Sequence, residues 1–128
     1  MGSFLNLIAV SDNRDKKHAL PGRLNVTQAE EYISANLDKA ITRDILADVS
    51  GVSIRNLSRA FKKKYAMSPM AYVRQRRLDA CYAELRSSDP SQTTVTDVAM
   101  SHGFAHIGKF AIAYKQAFGE SPSVSLRE

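Results

Sequence analysis

Two stretches of this 128-residue chain repeat one pattern 52–53 residues apart, and that repeat limits the fold more than any other feature. The first runs TRDILADVSGVSIRNLSRAFKKKYAMSP from Thr42 to Pro69; the second runs TVTDVAMSHGFAHIGKFAIAYKQAFGESP from Thr94 to Pro122. Ala47 answers to Ala99, Gly51 to Gly103 and Val52 to Phe104. Beyond one inserted residue, Leu57 answers to Phe110, Phe61 to Tyr114, Tyr65 to Phe118, and Ser68-Pro69 to Ser121-Pro122. Each copy reads as two short helices around a tight glycine turn.

The rest of the chain is also written in helix signals, with no sustained apolar–polar alternation and no Asn-Gly or Asp-Gly hairpin. Thr27 with Glu30 forms a capping box, followed by an Ala29–Ile33–Leu37 stripe that predicts a helix to about Asn36 or Leu37. Thr42 caps a helix that Gly51 ends, and Ser53 caps the next, to about Tyr65. Ser68-Pro69 opens a long helix to about Ser87, where Ser88-Asp89-Pro90 signals a loop. Thr94 starts a helix ended by Gly103, a further one spans about 106–118, and Ser121-Pro122 begins a last short turn or helix. The expected fold is all-α: seven helices in two helix-turn-helix subdomains, about 42–65 and 94–118, joined by the long helix at about 69–87.

Charge is concentrated rather than spread. Residues 52–88 hold nine basic side chains against Asp79 and Glu84, a net +7, while each flank comes to −1. Such a block is an electrostatic footprint for a polyanion, since a plainly solvated helix face carries both signs in similar amounts. No apolar run is long enough to span a bilayer, and FLNLIAV lacks the basic start and cleavage site of a signal peptide. The single Cys81 excludes an internal disulfide and fits a reducing cytoplasm; on the apolar side of its helix it reads as core. His18, His102 and His106 fall at no metal-ligand spacing and no glycine loop cradles a phosphate, so neither an enzyme, a metal site nor a cofactor is expected.

Helix-turn-helix units place their second helix in the major groove, where base edges carry a distinguishable donor and acceptor code. Glycine permits the sharp turn, and Ala47 and Ala99 let the paired helices approach closely. Two recognition helices in one chain must meet one face of the duplex about 34 Å apart. The helix at 69–87 would be roughly 28 Å long at 1.5 Å per residue, which suits a spacer. The expected partner is double-stranded DNA. The alternative is a helical interaction module whose basic face docks an acidic protein.

Over roughly residues 24–126 the chain resembles the DNA-binding domain of the AraC/XylS family of bacterial transcription regulators. The match is carried by LADVSGVSIRNLSRAFKKKYAMSPMAYVRQRRL and by VAMSHGFAHIGKFAIAYKQAFGESPS, whose GF and F…Y-K…FG-x-SP ending is the more diagnostic. His106, Gly108 and Lys109, with SPMAYVRQRRL, are similar to the XylS-like branch. The resemblance implies a sequence-specific regulator, an activator, with RNA polymerase as a further partner. It implies an effector that acts only through a preceding domain, of which residues 1–23, with FLNLIAV, would be the tail. On this reading the chain by itself is monomeric, and its short helices leave little room for a cavity of several hundred Å3.

Carried over by position, Arg55, Asn56, Ser58 and Arg59 are the base-contact candidates of the first unit. Arg59 would make the bidentate guanine contact, or else hold a phosphate or a neighbouring carboxylate. Lys62, Lys63, Lys64, Arg74, Arg76, Arg77 and Lys115 are phosphate candidates. The second unit departs from this pattern: Gly108, Lys109, Ala111 and Ile112 stand at the matching positions. Lys109, Ile112 and His106 remain its base-contact candidates, with a buried or capping role open for His106 and with weak binding, shape readout or RNA polymerase contact open for the unit as a whole.

Overall fold

The computed structural model describes residues 23–127, with side chains from Val26 onward. Among these residues there are seven helices and no strand. They are α1 (Arg23–Ala35), α2 (Arg43–Ser50), α3 (Ile54–Tyr65), α4 (Pro69–Ser87), α5 (Val95–Ser101), α6 (Ile107–Phe118) and α7 (Pro122–Arg127). The helices fall into two compact units, and the boundary passes through α4 between Val73 and Arg74. Segment 37–40 belongs with the second unit. Expectations on residues 1–22, FLNLIAV included, lie outside the described residues.

In the first unit α1, α2 and α3 pack pairwise. Ile33, Leu46, Leu57 and Phe61 are wholly buried, with Ala29 and Ala47 small enough to let the helices close on them. The first turn of α4 adds Tyr72, whose ring lies 5.3 Å from Phe61 and 4.6 Å from Tyr65. The second unit repeats the plan: Leu78, Cys81 and Leu85 of α4 bury against Val98, Ala99, Phe110 and Tyr114. Phe118 then stacks on Tyr82 at 4.6 Å.

The repeat holds down to single hydrogen bonds. The Oγ1 of Thr42 accepts from the Ile45 amide at 3.1 Å, and that of Thr94 from the Asp97 amide at 3.0 Å. At the turns, Gly51 N–H donates to Asp48 O and Val52 N–H to Ala47 O; Gly103 donates to Met100 O and Phe104 to Ala99 O. Both glycines hold positive φ, 71° and 92°, which their lack of Cβ allows. The inserted residue follows: Ser53 caps α3 two positions after Gly51, while α6 begins after His106, three after Gly103.

One cap differs from expectation. Thr27 lies inside α1, which starts four residues earlier at Arg23, so the Thr-x-x-Glu spacing here marks no helix start. The same spacing arises wherever a threonine and a glutamate share a helix face one turn apart. The helix also stops at Ala35, where the Asn36 side chain donates to Tyr32 O at 2.8 Å.

Candidate nucleic-acid interface

The outer face of α3 follows from which residues its core takes. Leu57, Ala60 and Phe61 are buried, so at 3.6 residues per turn the opposite side carries Arg55, Arg59 and Lys62 within about 60° of one another. All three are exposed, and Lys63 flanks them. Among the described residues none of the four makes an ion pair. Arg59 therefore has no carboxylate partner there, which leaves the guanine and phosphate contacts of its three expected roles. Asn56 and Ser58 are half-buried on either flank of the stripe. Ser53 Oγ accepts from the Asn56 amide at 3.1 Å, which fixes the helix start and so the direction in which these side chains leave it.

The phosphate candidates separate into three groups. Lys62, Lys63, Arg74 and Lys115 are exposed with no ion pair among the described residues. Lys64 reaches Glu30 at 2.9 Å and lies 5.2 Å from the Tyr65 ring centre, while Arg76 pairs with Asp79 at 3.2 Å. Solvent-accessible surface pairs of this kind hold by about 0–1 kcal/mol, so a phosphate can displace either carboxylate. Arg77 is spent otherwise. Its Nε donates to Leu37 O at 3.2 Å and its Nη2 to Lys39 O at 2.6 Å, so the half-buried guanidinium ties segment 37–40 to α4. Backbone carbonyls have no sequence signature, which is why this role was hidden.

On α6 the buried Phe110 and Tyr114 turn Gly108, Ile112 and Lys115 outward. Lys109 is exposed and Ala111 half-buried. His106 stands at the N-cap but makes no side-chain cap bond and is exposed, so neither the buried nor the capping role is realised. Beside it lies an open cleft of about 310 Å3, lined by Phe104 and Phe110 together with Arg74, His106 and Lys109. Little space of this size was expected. It exists because Gly103, Ala105 and Ala113 put almost no side chain around the two rings.

The sequence also concealed a polar lock behind α6. The buried Tyr114 hydroxyl donates to Ser125 Oγ at 2.7 Å, and Ser125 Oγ donates to Glu120, which Arg86 approaches at 3.7 Å. This lock fixes α7 on the core side and leaves the outer face of α6 uncovered by it. No helix among the described residues is long and apolar enough to cross a membrane.

A family model described as a helix-turn-helix domain matches residues 46–128. The chain is 32% identical over 120 residues to the XylDLEGF operon transcriptional activator 2 of Pseudomonas putida, covering 94% of this chain and 76% of that protein. It is 36% identical over 113 residues to the probable thc operon regulatory protein of Rhodococcus erythropolis, covering 88% of this chain and 33% of that one. The chain thus spans about a third of the length of several relatives and three quarters of another. Among solved structures, it superposes on a probable AraC family transcriptional regulator from Rhodopseudomonas palustris with a TM-score of 0.75 at 40% identity, over 80% of this chain and 94% of that one. That family is one of regulators and not of enzymes. With two helix-turn-helix units, a cationic stripe on the first recognition helix and these relatives, the chain belongs to the AraC-type family of DNA-binding transcription regulators.

Proposed function

We propose that α3 is the principal sequence reader, entering the major groove with Arg55 and Arg59 toward base edges and Asn56 and Ser58 on its flanks. The observation that carries this reading is the exposed stripe of Arg55, Arg59 and Lys62, opposite the core and without ion pairs among the described residues. A guanidinium in that position meets guanine O6 and N7 with two parallel donors. Lys62, Lys63, Arg74 and Lys115 hold phosphates and set register; Lys64 and Arg76 join them at the expense of weak surface pairs. Arg77 is left out of the interface because two of its donors, on Nε and Nη2, hold Leu37 O and Lys39 O within the second unit. The second recognition helix, α6, contributes His106, Lys109 and Ile112 with less charge and less affinity.

The relatives' printed names support activation as the sense of regulation. RNA polymerase contact, and an effector that acts through a further domain, belong to the same proposal. A titration of fluorescent duplex DNA selected from a random pool, repeated over a range of salt, tests the DNA reading. Log affinity should fall linearly with log salt, and Lys63→Ala should lower that slope by about 1 while weakening all sequences alike. Absence of duplex binding at low salt would overturn it.

A further inference from the structure

Nothing among the described residues explains two residues on the outer face of α6. Ile112 is 63% exposed, the highest value among the exposed large apolar side chains of the described residues. A β-branched residue helps neither an exposed helix position nor solubility. Gly108 stands one turn earlier on the same face, and a Cβ there would meet no atom within 4 Å. Glycine costs up to about 1 kcal/mol against alanine in a helix interior and less in the first turn, where Gly108 stands. No packing among the described residues or positive φ requires it. Both residues disfavour the free helix, so their use is to be sought outside it.

The surroundings indicate which partner. Ile112 occupies in α6 the place that Arg59 occupies in α3, each five residues after the first residue of its helix. Lys109 and Lys115 flank it at about 60° on either side. An apolar centre between two ammonium groups fits a surface that is anionic at its edges and apolar in the middle. The major groove over a thymine is such a surface: phosphates run along both walls, and the 5-methyl group projects from the floor. With glycine at 108, no side chain stands ahead of Ile112 to hold the base away.

Resting on the reading of α6 as a groove-entering helix, we infer that Ile112 reads a thymine through its 5-methyl group. The second unit thereby selects an A·T pair by van der Waals contact where the first unit uses hydrogen bonds. The side chain has no polar atom, so it discriminates by presence of the methyl and by exclusion of the cytosine amino group, which would lose its water without a replacement acceptor.

Deoxyuridine, which differs from thymidine only by that methyl, isolates the contact. A duplex selected from a random pool by the full chain is resynthesised with each thymine replaced in turn by deoxyuridine. One replacement should weaken binding by about three- to tenfold, the worth of a buried methyl. Ile112→Ala, a substitution that favours the helix, should bind the thymine duplex with that same loss and respond less than twofold to the replacement. Indifference of the wild-type chain to every deoxyuridine, or an unchanged penalty in Ile112→Ala, overturns the inference while leaving DNA binding intact; full affinity of Ile112→Ala would place its partner off the DNA. A chain that selects no duplex overturns the wider reading as well.

Discussion

Ala66 and Gly119 occupy the same place in the two copies of the repeat, each closing its recognition helix in the left-handed conformation. Their φ angles are 60° and 78°, and their amides donate to Lys62 O at 2.9 Å and Lys115 O at 2.8 Å. Glycine takes this conformation without penalty, whereas a Cβ costs roughly 1–2 kcal/mol. Glycine's larger unfolded-state entropy returns part of that. Ala66→Gly should therefore stabilise the chain by about 0.5–1 kcal/mol, read as a higher denaturant midpoint at unchanged slope. A lower midpoint would show that the αL cap is not strained.

Arg77 tests whether a basic residue in the charged block serves the fold or the DNA. Removing two charge-assisted bonds to Leu37 O and Lys39 O should cost about 1–3 kcal/mol. Arg77→Ala should lower the unfolding midpoint and leave the salt slope of DNA binding unchanged below that midpoint. A slope lower by about 1 at full stability would return Arg77 to the phosphate contacts.

Burial pushes the Cys81 thiol from 9.0 up to about 12, with the nearby Glu84 carboxylate adding to the effect. Burial also raises Tyr114, partly offset by its bond to Ser125. An unfolded chain loses the thiol proton near pH 9 while the native chain keeps it, so the native state binds more protons above that value. Stability from this source is complete below about pH 9 and declines as pH rises toward about 12. Denaturant melts across that window should show a shallower decline for Cys81→Ala, and native Cys81 should resist alkylation at pH 8. Rapid native-state alkylation would contradict the buried placement.

Much of this architecture was legible because its determinants are local. Thr42, Ser53 and Thr94 cap where their side-chain oxygens lie three residues from an orphan amide, and glycine marks both turns. The outer stripe of α3 follows from Leu57, Ala60 and Phe61 by helical period alone. What stayed hidden depends on residues distant in sequence or on signals shared by two structures. Arg77 meets carbonyls some forty residues away. The Tyr114–Ser125–Glu120 lock joins three ordinary polar residues, and Thr27 has cap spacing but a mid-helix position. The exposure of His106 needed the geometry of the turn with its extra residue.

The two recognition helices should contribute unequally. Arg55 and Arg59 bring two cations to the face of α3, while α6 carries Gly108 and Ile112 in the same places. Arg55→Ala with Arg59→Ala should weaken binding to selected DNA more than His106→Ala with Lys109→Ala. Titration at one fixed salt concentration gives the comparison, and a greater loss from the second pair would reverse the ordering.

Arg59 on α3 should read a base rather than a phosphate. The most direct test is the ratio of affinities for a selected duplex and a random one, measured for the wild-type chain and Arg59→Ala in the same buffer. A base reader should lose about 1–3 kcal/mol on the selected site, relax preference at one base pair, and leave random binding nearly unchanged. Equal weakening of selected and random duplexes would contradict it.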